Sequence, residues 1–141
     1  EDATARALEG RHFAIWGLSF KPGTDDMREA PSIVIIETLL KAGAKVSVHD
    51  PVAMTEAVRH FGDRVLYGSN EYGILNAADA LVIVTEWNEY RNPDFERIAT
   101  LLANPVIFDG RNLYNPRRMK QMGFEYYAIG RNGSVFSAEK G

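Results

Sequence analysis

Residues 13–28 read FAIWGLSFKPGTDDMR. The apolar first part of this stretch, residues 13–18, predicts a buried β-strand. The loop that follows contains two cations, Lys21 and Arg28, and a helix is expected to begin at Pro31 because proline is favoured in a first helical turn. Ligands of open α/β sheets bind just beyond the carboxyl ends of the strands. Two cations held at that edge suit an anionic ligand such as a diphosphate.

The rest of the chain alternates between short β-rich runs and helical patterns. Further strands are predicted over residues 45–49, 65–67, 80–85, 106–109 and 126–129. Helices are predicted over residues 32–42, 54–61, 72–78, 93–102 and 116–122, the last three capped by Asn70, Asn92 and Asn115. Such alternation implies crossover connections between parallel strands, and continuous apolar strands indicate a sheet covered on both faces. We therefore predict an α/β three-layer sandwich around a mainly parallel six-stranded sheet.

The composition is that of one ordinary globular domain. The chain has 141 residues with 45% hydrophobic content, which is enough to bury a core. Its net charge of −3 and its pI near 5.6 argue against a nucleic-acid partner, so any anion site must be local. No apolar run approaches the roughly 20 residues of a membrane helix, and residues 1–10 lack a signal-peptide core. A cytoplasmic protein without a membrane partner is the expectation.

The chain contains no cysteine. Disulfides, thiolate metal sites and thiol nucleophiles are therefore excluded within it. The three histidines, His12, His49 and His60, are scattered and lack the spacing typical of metal ligands. We expect no metal site.

A dinucleotide site in this chain alone is not predicted. Such a site would show Gly-x-Gly-x-x-Gly running from the first strand directly into a helix, whereas Gly17 and Gly23 have a different spacing. Asp50 ends the second strand, where an acid that binds a ribose would lie. The pair Asp50-Pro51 is also a common way to open a turn, so both interpretations of Asp50 stay open.

Each candidate binding residue also has a purely structural interpretation. Arg28 can pair in solvent with one of three neighbouring acids, Asp25, Asp26 or Glu29, and such an exposed contact contributes only about 0 to 1 kcal/mol. Arg111 follows the fifth strand and can either grip a phosphate or remain a solvated loop side chain. Trp87 follows the fourth strand and can stack on a base or pack beneath a helix. Tyr126 and Tyr127 are expected to pack on the sheet.

Taken together, these loops resemble the carboxyl-terminal UDP-binding domain of the nucleotide-sugar 6-dehydrogenases, the UDP-glucose/GDP-mannose dehydrogenase family. The matching segments are residues 17–22 (GLSFKP), 24–28 (TDDMR), 50–51 (DP), 85–87 (TEW) and 108–112 (FDGRN). They occur in family order and span nearly the whole chain after residue 10. Ser19, where many relatives have alanine, is a minor departure.

The resemblance implies a Rossmann-like domain over residues 12–131, preceded by a linker or helix end at 1–11 and followed by a flexible tail at 132–141. It implies that Phe20, Lys21 and Arg111 contact the UDP-sugar. It also implies that Arg28 reaches an NAD molecule that is bound mainly by a separate amino-terminal domain. Family members have a central helical region as well and are homodimers or larger.

The family reaction takes an alcohol to an acid in two NAD-dependent oxidations. The segments TEWNEY at 85–90 and DGRN at 109–112 are more similar to the branch that converts UDP-glucose to UDP-glucuronate than to the UDP-N-acetylmannosamine or GDP-mannose branches. The second oxidation needs a cysteine nucleophile. Since this chain has none, the resemblance implies a binding domain that is not catalytic alone. Two alternatives are a stand-alone binding or oligomerisation module and a complete small dinucleotide-binding protein.

Overall fold

The computed structural model describes residues 8–19, 21–28, 30–129 and 135–137. Seven strands form one sheet in the order β3-β2-β1-β4-β5-β6-β7. The strands are β1 (His12–Trp16), β2 (Lys45–His49), β3 (Leu66–Tyr67), β4 (Ala80–Ile83), β5 (Val106–Asp109), β6 (Glu125–Ile129) and β7 (Val135–Ser137). The strand order reverses between β1 and β4, so the carboxyl ends of these two strands meet at the switch point of a doubly wound sheet.

The first six strands are parallel, and β7 runs antiparallel to β6. The predicted α/β fold with a mainly parallel sheet is therefore confirmed. The six predicted parallel strands are all present, and Val135–Ser137 adds a seventh, antiparallel edge strand within the stretch expected to be a flexible tail. A three-residue strand is too short for hydrophobic patterning to reveal, and it forms here through backbone hydrogen bonds to the edge strand β6.

Five α-helices lie in the described residues: α1 (Pro31–Lys41), α2 (Met54–Phe61), α3 (Asn88–Arg91), α4 (Phe95–Leu101) and α5 (Pro116–Gln121). Short 3₁₀ turns occupy Gly62–Arg64 and Gly73–Leu75. The predicted cap Asn115 is confirmed, since its side chain accepts a hydrogen bond from the N–H of Arg118. The short helix α3 was not predicted.

Two predicted helices differ from the structure. The helix expected over 72–78 is only a 3₁₀ turn, because Ala77 adopts a positive φ of 63° that a helix cannot contain. The side chain of Asn70 nevertheless accepts hydrogen bonds from the N–H groups of Tyr72 and Gly73, as expected of a cap. Asp94, not Asn92, caps α4 and accepts from the N–H of Arg97.

The core is divided into two layers by the sheet. On β1, Phe13 and Ile15 belong to one buried cluster, while Ala14 and Trp16 belong to the other. The first cluster includes residues of α1 and α2, and the second includes residues of α4 and α5. Since successive side chains of a strand point to opposite faces, helices cover both sides of the sheet. This is the predicted three-layer arrangement.

Candidate functional site at the carboxyl edge of the sheet

The loops after β1, β4 and β5 meet at the carboxyl edge of the sheet. The strands β1, β4 and β5 are adjacent in the sheet, so their carboxyl ends lie side by side. Thr85, after β4, donates its hydroxyl to the backbone carbonyl of Ser19, after β1, at 2.6 Å. Glu86 accepts hydrogen bonds from the guanidinium of Arg111, after β5. These contacts hold the three loops as one connected surface.

Gly17 makes the approach of the first two loops possible. An ideal Cβ added at this position would lie 2.5 Å from the Cβ and the backbone nitrogen of Thr85. Its φ is +101°, a conformation that side-chain-bearing residues rarely adopt. The same turn ends β1 at Trp16, two residues before the end of the predicted strand. Gly17 therefore allows the loops after β1 and β4 to come into contact, and this contact leaves no space for a phosphate beside Gly17.

The carboxylate of Asp50 organises the same edge. Asp50 is 2% exposed and accepts hydrogen bonds from the backbone and side chains of three segments. Its donors are the backbone N–H groups of Leu18, Ser19, Val52 and Ala53 and the indole N–H of Trp87. The Ser19 hydroxyl lies 3.4 Å from Oδ2 as well, but its single hydrogen makes the shorter contact with the carbonyl of Lys21. A carboxylate offers about four lone-pair positions, so these donors satisfy it fully. The turn interpretation of Asp50 is confirmed, and no acceptor position is left for a ribose.

Lys21 lies on the exposed loop after β1. Its side chain is exposed, and its backbone carbonyl accepts the hydroxyl of Ser19 at 2.8 Å. Ser19 is fully buried, so the loop is tied to the interior immediately before Lys21 extends outward. Phe20, the other predicted substrate contact in this loop, lies outside the described residues.

Arg111 projects from the loop after β5 and is 42% exposed. Its Nε donates to Oε1 of Glu86 at 2.7 Å, and its Nη2 donates to the same oxygen. Arg91 also approaches Glu86, at 3.6 Å. Glu86 therefore contacts the Nε and Nη2 side of the guanidinium, and Nη1 lies on its other side.

Asp109 fixes the start of the Arg111 loop. It is fully buried, and its Oδ1 accepts the backbone N–H of Arg111 at 2.9 Å. Its Oδ2 accepts the N–H of Leu113 at 2.7 Å and the hydroxyl of Tyr126 at 2.6 Å. Burial raises the pKa of Tyr126, and the hydrogen bond to Asp109 raises it further. Asp109 was not predicted to have a role of its own, although its position at the end of an apolar strand resembles that of Asp50.

The aromatic residues of this edge contribute to packing. Trp87 is half-buried and packs against the cluster that contains Trp16, with its indole N–H directed to Asp50. This supports the packing interpretation of Trp87. Tyr126 is 2% exposed, and Tyr127 stacks on Phe108 with ring centroids 5.2 Å apart, so both tyrosines pack on the sheet as predicted.

Arg28 occupies a different position from Lys21 and Arg111. Its guanidinium forms two hydrogen bonds with the carboxylate of Asp26, at 3.0 and 2.9 Å, and its side chain is 89% exposed. The side-chain hydrogen bond from Arg28 lowers the pKa of Asp26 to about 2. The pair borders a hollow of about 760 Å³ between the loop 24–28 and α2, whose Arg59 and His60 line the other side. The pairing of Arg28 with a neighbouring acid is therefore present in the structure.

The loop after β1 does not fit a dinucleotide. The strand β1 ends at Trp16, but α1 begins only at Pro31, so the loop does not lead directly into a helix amino terminus. Thr85 occupies the space beside Gly17, and the carboxylate oxygens of Asp50 already accept hydrogen bonds from the protein. These residues therefore do not form the cradle for an NAD pyrophosphate or the acid that holds its ribose.

Of the helices in the described part of the chain, none combines the length and the apolar character needed to cross a bilayer.

Comparison with known proteins places this edge in a family context. Residues 14–116 match the model of the UDP-glucose/GDP-mannose dehydrogenase family, UDP binding domain. The UDP-glucose 6-dehydrogenase of Pseudomonas aeruginosa is 48% identical over 128 residues, which are 87% of this chain and 28% of that protein. The TuaD UDP-glucose 6-dehydrogenase of Bacillus subtilis is 40% identical over 125 residues, which are 89% of this chain and 27% of that protein. The chain thus spans less than a third of the length of these relatives.

Two solved structures show the same fold. The NDP-N-acetyl-D-galactosaminuronic acid dehydrogenase of Methanosarcina mazei superposes with a TM-score of 0.75 and 33% identity, over 90% of this chain and 26% of that one. The UDP-glucose dehydrogenase of Pyrobaculum islandicum superposes with a TM-score of 0.68 and 37% identity, over 78% of this chain and 24% of that one. The family model covers most of the sequence and all three loops of the site. The chain therefore belongs to the UDP-glucose/GDP-mannose dehydrogenase family and contains its UDP binding domain.

Proposed function

We propose that this chain is the UDP-sugar-binding carboxyl-terminal part of a UDP-glucose 6-dehydrogenase. The full-length enzyme would oxidise UDP-glucose to UDP-glucuronate with two NAD. One observation supports this most directly: Lys21 and Arg111 extend from loops that Thr85 and Glu86 join at one sheet edge, within the UDP binding domain of the family.

The loop contacts suggest how the edge binds a nucleotide diphosphate. Lys21 carries a compact point charge on a four-carbon stem, whereas Arg111 presents a planar fork of fixed orientation. Glu86 uses the Nε side of that fork, so Nη1 is the donor that we assign to the ligand. Phe20, next to Lys21, is assigned to the same ligand by its position in the family motif. Two cations from separate loops match the two negative groups of a diphosphate.

The chain contributes binding and positioning, not the chemical step. Holding the nucleotide end of the substrate fixes the sugar relative to reactive groups supplied elsewhere. The sequence has no cysteine, so a thiol nucleophile must come from residues outside these 141. We assign the nucleophile and most of the NAD site to amino-terminal and central domains of a cytoplasmic homodimer or larger assembly. NAD would serve there as the hydride acceptor, and Arg28 is the residue of this chain that we expect to reach it.

The proposal is tested by titrating the 141-residue chain with UDP and following backbone amide shifts by NMR. Two or three charge-assisted hydrogen bonds must exceed an association cost of roughly 4 to 15 kcal/mol, so we expect weak, high-micromolar to millimolar binding. Lys21→Ala and Arg111→Ala should each weaken it at least about tenfold. Lys41→Ala is the matched control, because Lys41 lies in the last turn of α1, at the opposite edge of the sheet. Equal UDP responses of Lys21→Ala, Arg111→Ala and Lys41→Ala would contradict the proposal.

The choice of sugar is tested separately on the full-length protein. Two of the three loops, TEWNEY at 85–90 and DGRN at 109–112, favour UDP-glucose over UDP-N-acetylmannosamine and GDP-mannose. Turnover with each of the three sugar nucleotides should be highest with UDP-glucose. A preference for one of the other two would retain the nucleotide-binding role of the chain and change its substrate.

A further inference from the structure

A second group of polar side chains converges beside the nucleotide edge. His49 is the last residue of β2, Glu71 follows β3, and Glu89 lies in α3. One ring nitrogen of His49 and one carboxylate oxygen from each glutamate all lie within 4.8 Å of one another. The three residues are far apart in the sequence, so histidine spacing could not indicate this cluster.

The residues around the cluster hold it in place. The indole N–H of Trp16 donates to the backbone carbonyl of Glu71 at 2.9 Å, and the Trp16 ring stacks on Tyr90 with centroids 4.7 Å apart. The hydroxyl of Tyr90, the residue after Glu89, contacts Nδ1 of His49 at 2.8 Å and the backbone carbonyl of His49 at 3.1 Å. Two fully buried aromatic residues thus connect the segments that carry the three polar side chains.

The contacts of Tyr90 are compatible with the His49 tautomer that a metal ion requires. If the Tyr90 hydroxyl donates its hydrogen to the His49 carbonyl, its oxygen is left to accept from Nδ1–H. The neutral ring then carries a lone pair on Nε2. His49 is 7% exposed, and among the described residues Nε2 has no hydrogen-bond partner. An outer hydrogen bond that orients the imidazole and fixes its tautomer is what metal-binding histidines commonly have.

The charges of the cluster also suit a cation. Glu71 and Glu89 are two carboxylates close together, and within the described part of the chain no arginine or lysine forms a salt bridge with either. Asp50, the residue after His49, is a third acid nearby, but its oxygens are occupied by hydrogen bonds. A positive ion between the two glutamates would offset their mutual repulsion.

We propose that His49, Glu71 and Glu89 form a binding site for a divalent first-row transition metal ion, with Zn²⁺ as the best match. One imidazole nitrogen and two carboxylate oxygens are ligands that Zn²⁺ accepts, and three protein ligands leave a position for water. Mg²⁺ is a poor match because it prefers oxygen ligands in octahedral geometry. A bound ion would connect the end of β2, the segment after β3 and the helix α3. The site is independent of the proposed nucleotide function.

The test is calorimetric titration of the 141-residue chain with ZnCl₂, MnCl₂ and MgCl₂ in a buffer that does not chelate metals. We expect one saturable Zn²⁺ site, with Mg²⁺ at least a hundredfold weaker. Glu71→Gln and Glu89→Gln should each weaken Zn²⁺ binding at least tenfold. Tyr90→Phe should weaken it about 10- to 100-fold, as removal of an outer-shell partner typically does. Glu96→Gln, an exposed acid in α4, is the matched control and should leave the affinity unchanged.

Two further measurements separate a loss of Zn²⁺ binding from unfolding and identify the nitrogen of His49 that binds the ion. Circular dichroism of each variant shows whether it is folded, so a loss of binding by unfolding is recognised. NMR of the ¹⁵N-labelled ring of His49 should show Nε2 shifting on addition of ZnCl₂ while Nδ1 stays protonated. Zn²⁺ binding that is absent at millimolar concentration, or that is equally strong in the folded Glu71→Gln and Glu89→Gln variants, would overturn the proposal.

Discussion

The indole N–H of Trp87 donates a hydrogen bond to the buried carboxylate of Asp50, with 3.1 Å between the nitrogen and Oδ2. This contact joins the loop after β4 to the turn after β2, across the intervening strand β1. The same Oδ2 accepts the backbone N–H of Leu18 at 2.8 Å, at the start of the loop that carries Lys21. One carboxylate therefore fixes three of the loops that form the carboxyl edge, and the geometry of this edge depends on it.

Replacing Asp50 by asparagine should destabilise the fold strongly. Asparagine would direct an NH₂ group toward backbone N–H donors and leave some of them without an acceptor in the interior, at an expected cost of about 2 to 4 kcal/mol. Trp87→Phe removes a single donor and should cost only about 1 kcal/mol. Urea unfolding of both variants measures the difference. Asp63→Asn, at an exposed acid, is the control, and a loss in Asp50→Asn no larger than in that control would refute this role of Asp50.

Gly17→Ala tests the contact between the loops after β1 and β4. The new methyl group would lie 2.5 Å from Thr85 in a backbone with a φ of +101°, so we expect a loss of more than about 3 kcal/mol or failure to fold. Gly23→Ala is the matched control. Gly23 also has a positive φ, +87°, but nothing lies within 4 Å of its Cβ position. Its substitution should cost only about 1 to 2 kcal/mol. Thermal unfolding compares the two variants, and equal losses would show that steric contact with Thr85 is unimportant.

Glu86→Gln should affect ligand binding more than stability. The pair of Glu86 and Arg111 is partly exposed, so its loss should change the free energy of unfolding by at most about 1 kcal/mol. If Arg111 binds the nucleotide, losing its oriented partner should weaken UDP binding severalfold. The UDP titration by NMR is the measurement, and Glu56→Gln, at an ion pair on α2, is the control. An unchanged UDP affinity in Glu86→Gln would mean that Glu86 does not position the guanidinium for the ligand.

His12 should make the fold less stable at mildly acidic pH. Burial lowers its pKa below 6.5, although the charge of Asp79 partly offsets this effect. The folded state therefore disfavours the protonated ring, and below pH 6.5 the unfolded state binds more protons. The folded state is stabilised by the neutral His12 ring, and this contribution to the free energy of unfolding is fully present above pH 6.5. It decreases as the pH falls below that value, by at most about 1.4 kcal/mol per pH unit.

The variant His12→Gln isolates this contribution. Urea unfolding of the native chain and of His12→Gln between pH 8 and pH 5 should give curves that converge as the pH decreases. All other titratable groups are shared by the two proteins, so they cancel in the difference. A difference that stays constant over this range would exclude a shifted pKa at His12.

Periodicity predicted the sheet and its covering helices because each strand is apolar and each crossover is short. It failed where local backbone or edge pairing decides the structure. Ala77 ends a helical pattern by adopting a positive φ, and Val135–Ser137 becomes a strand only because β6 offers a free edge. Asp94 replaces Asn92 as a cap since either side chain can perform that function, and only the path of the chain selects one of them.

The candidate site was predicted in part. Lys21 and Arg111 were identified from their loops, and the contacts of Thr85 and Glu86 show that these loops are joined. The role of Asp50 as a buried acceptor could not be distinguished from a ribose contact, because both functions require an acid at the end of a strand, and the similar role of Asp109 was missed. The roles of Phe20, Lys21, Arg28 and Arg111 toward ligands remain predictions that the variants above test.

The sequence by itself determined the alternation of strands and helices, the absence of a thiol and the loops that carry the candidate residues Lys21 and Arg111. These features depend on residue type and on spacing along the chain, which local physical chemistry converts directly into structure. The tertiary structure decided which polar groups are fully hydrogen-bonded within the fold, as Asp50 is. It also decided which polar groups come together from distant segments, as His49, Glu71 and Glu89 do. The physical reason is that hydrogen bonding and ion binding act over a few ångströms in space, whatever the separation of the residues in the sequence.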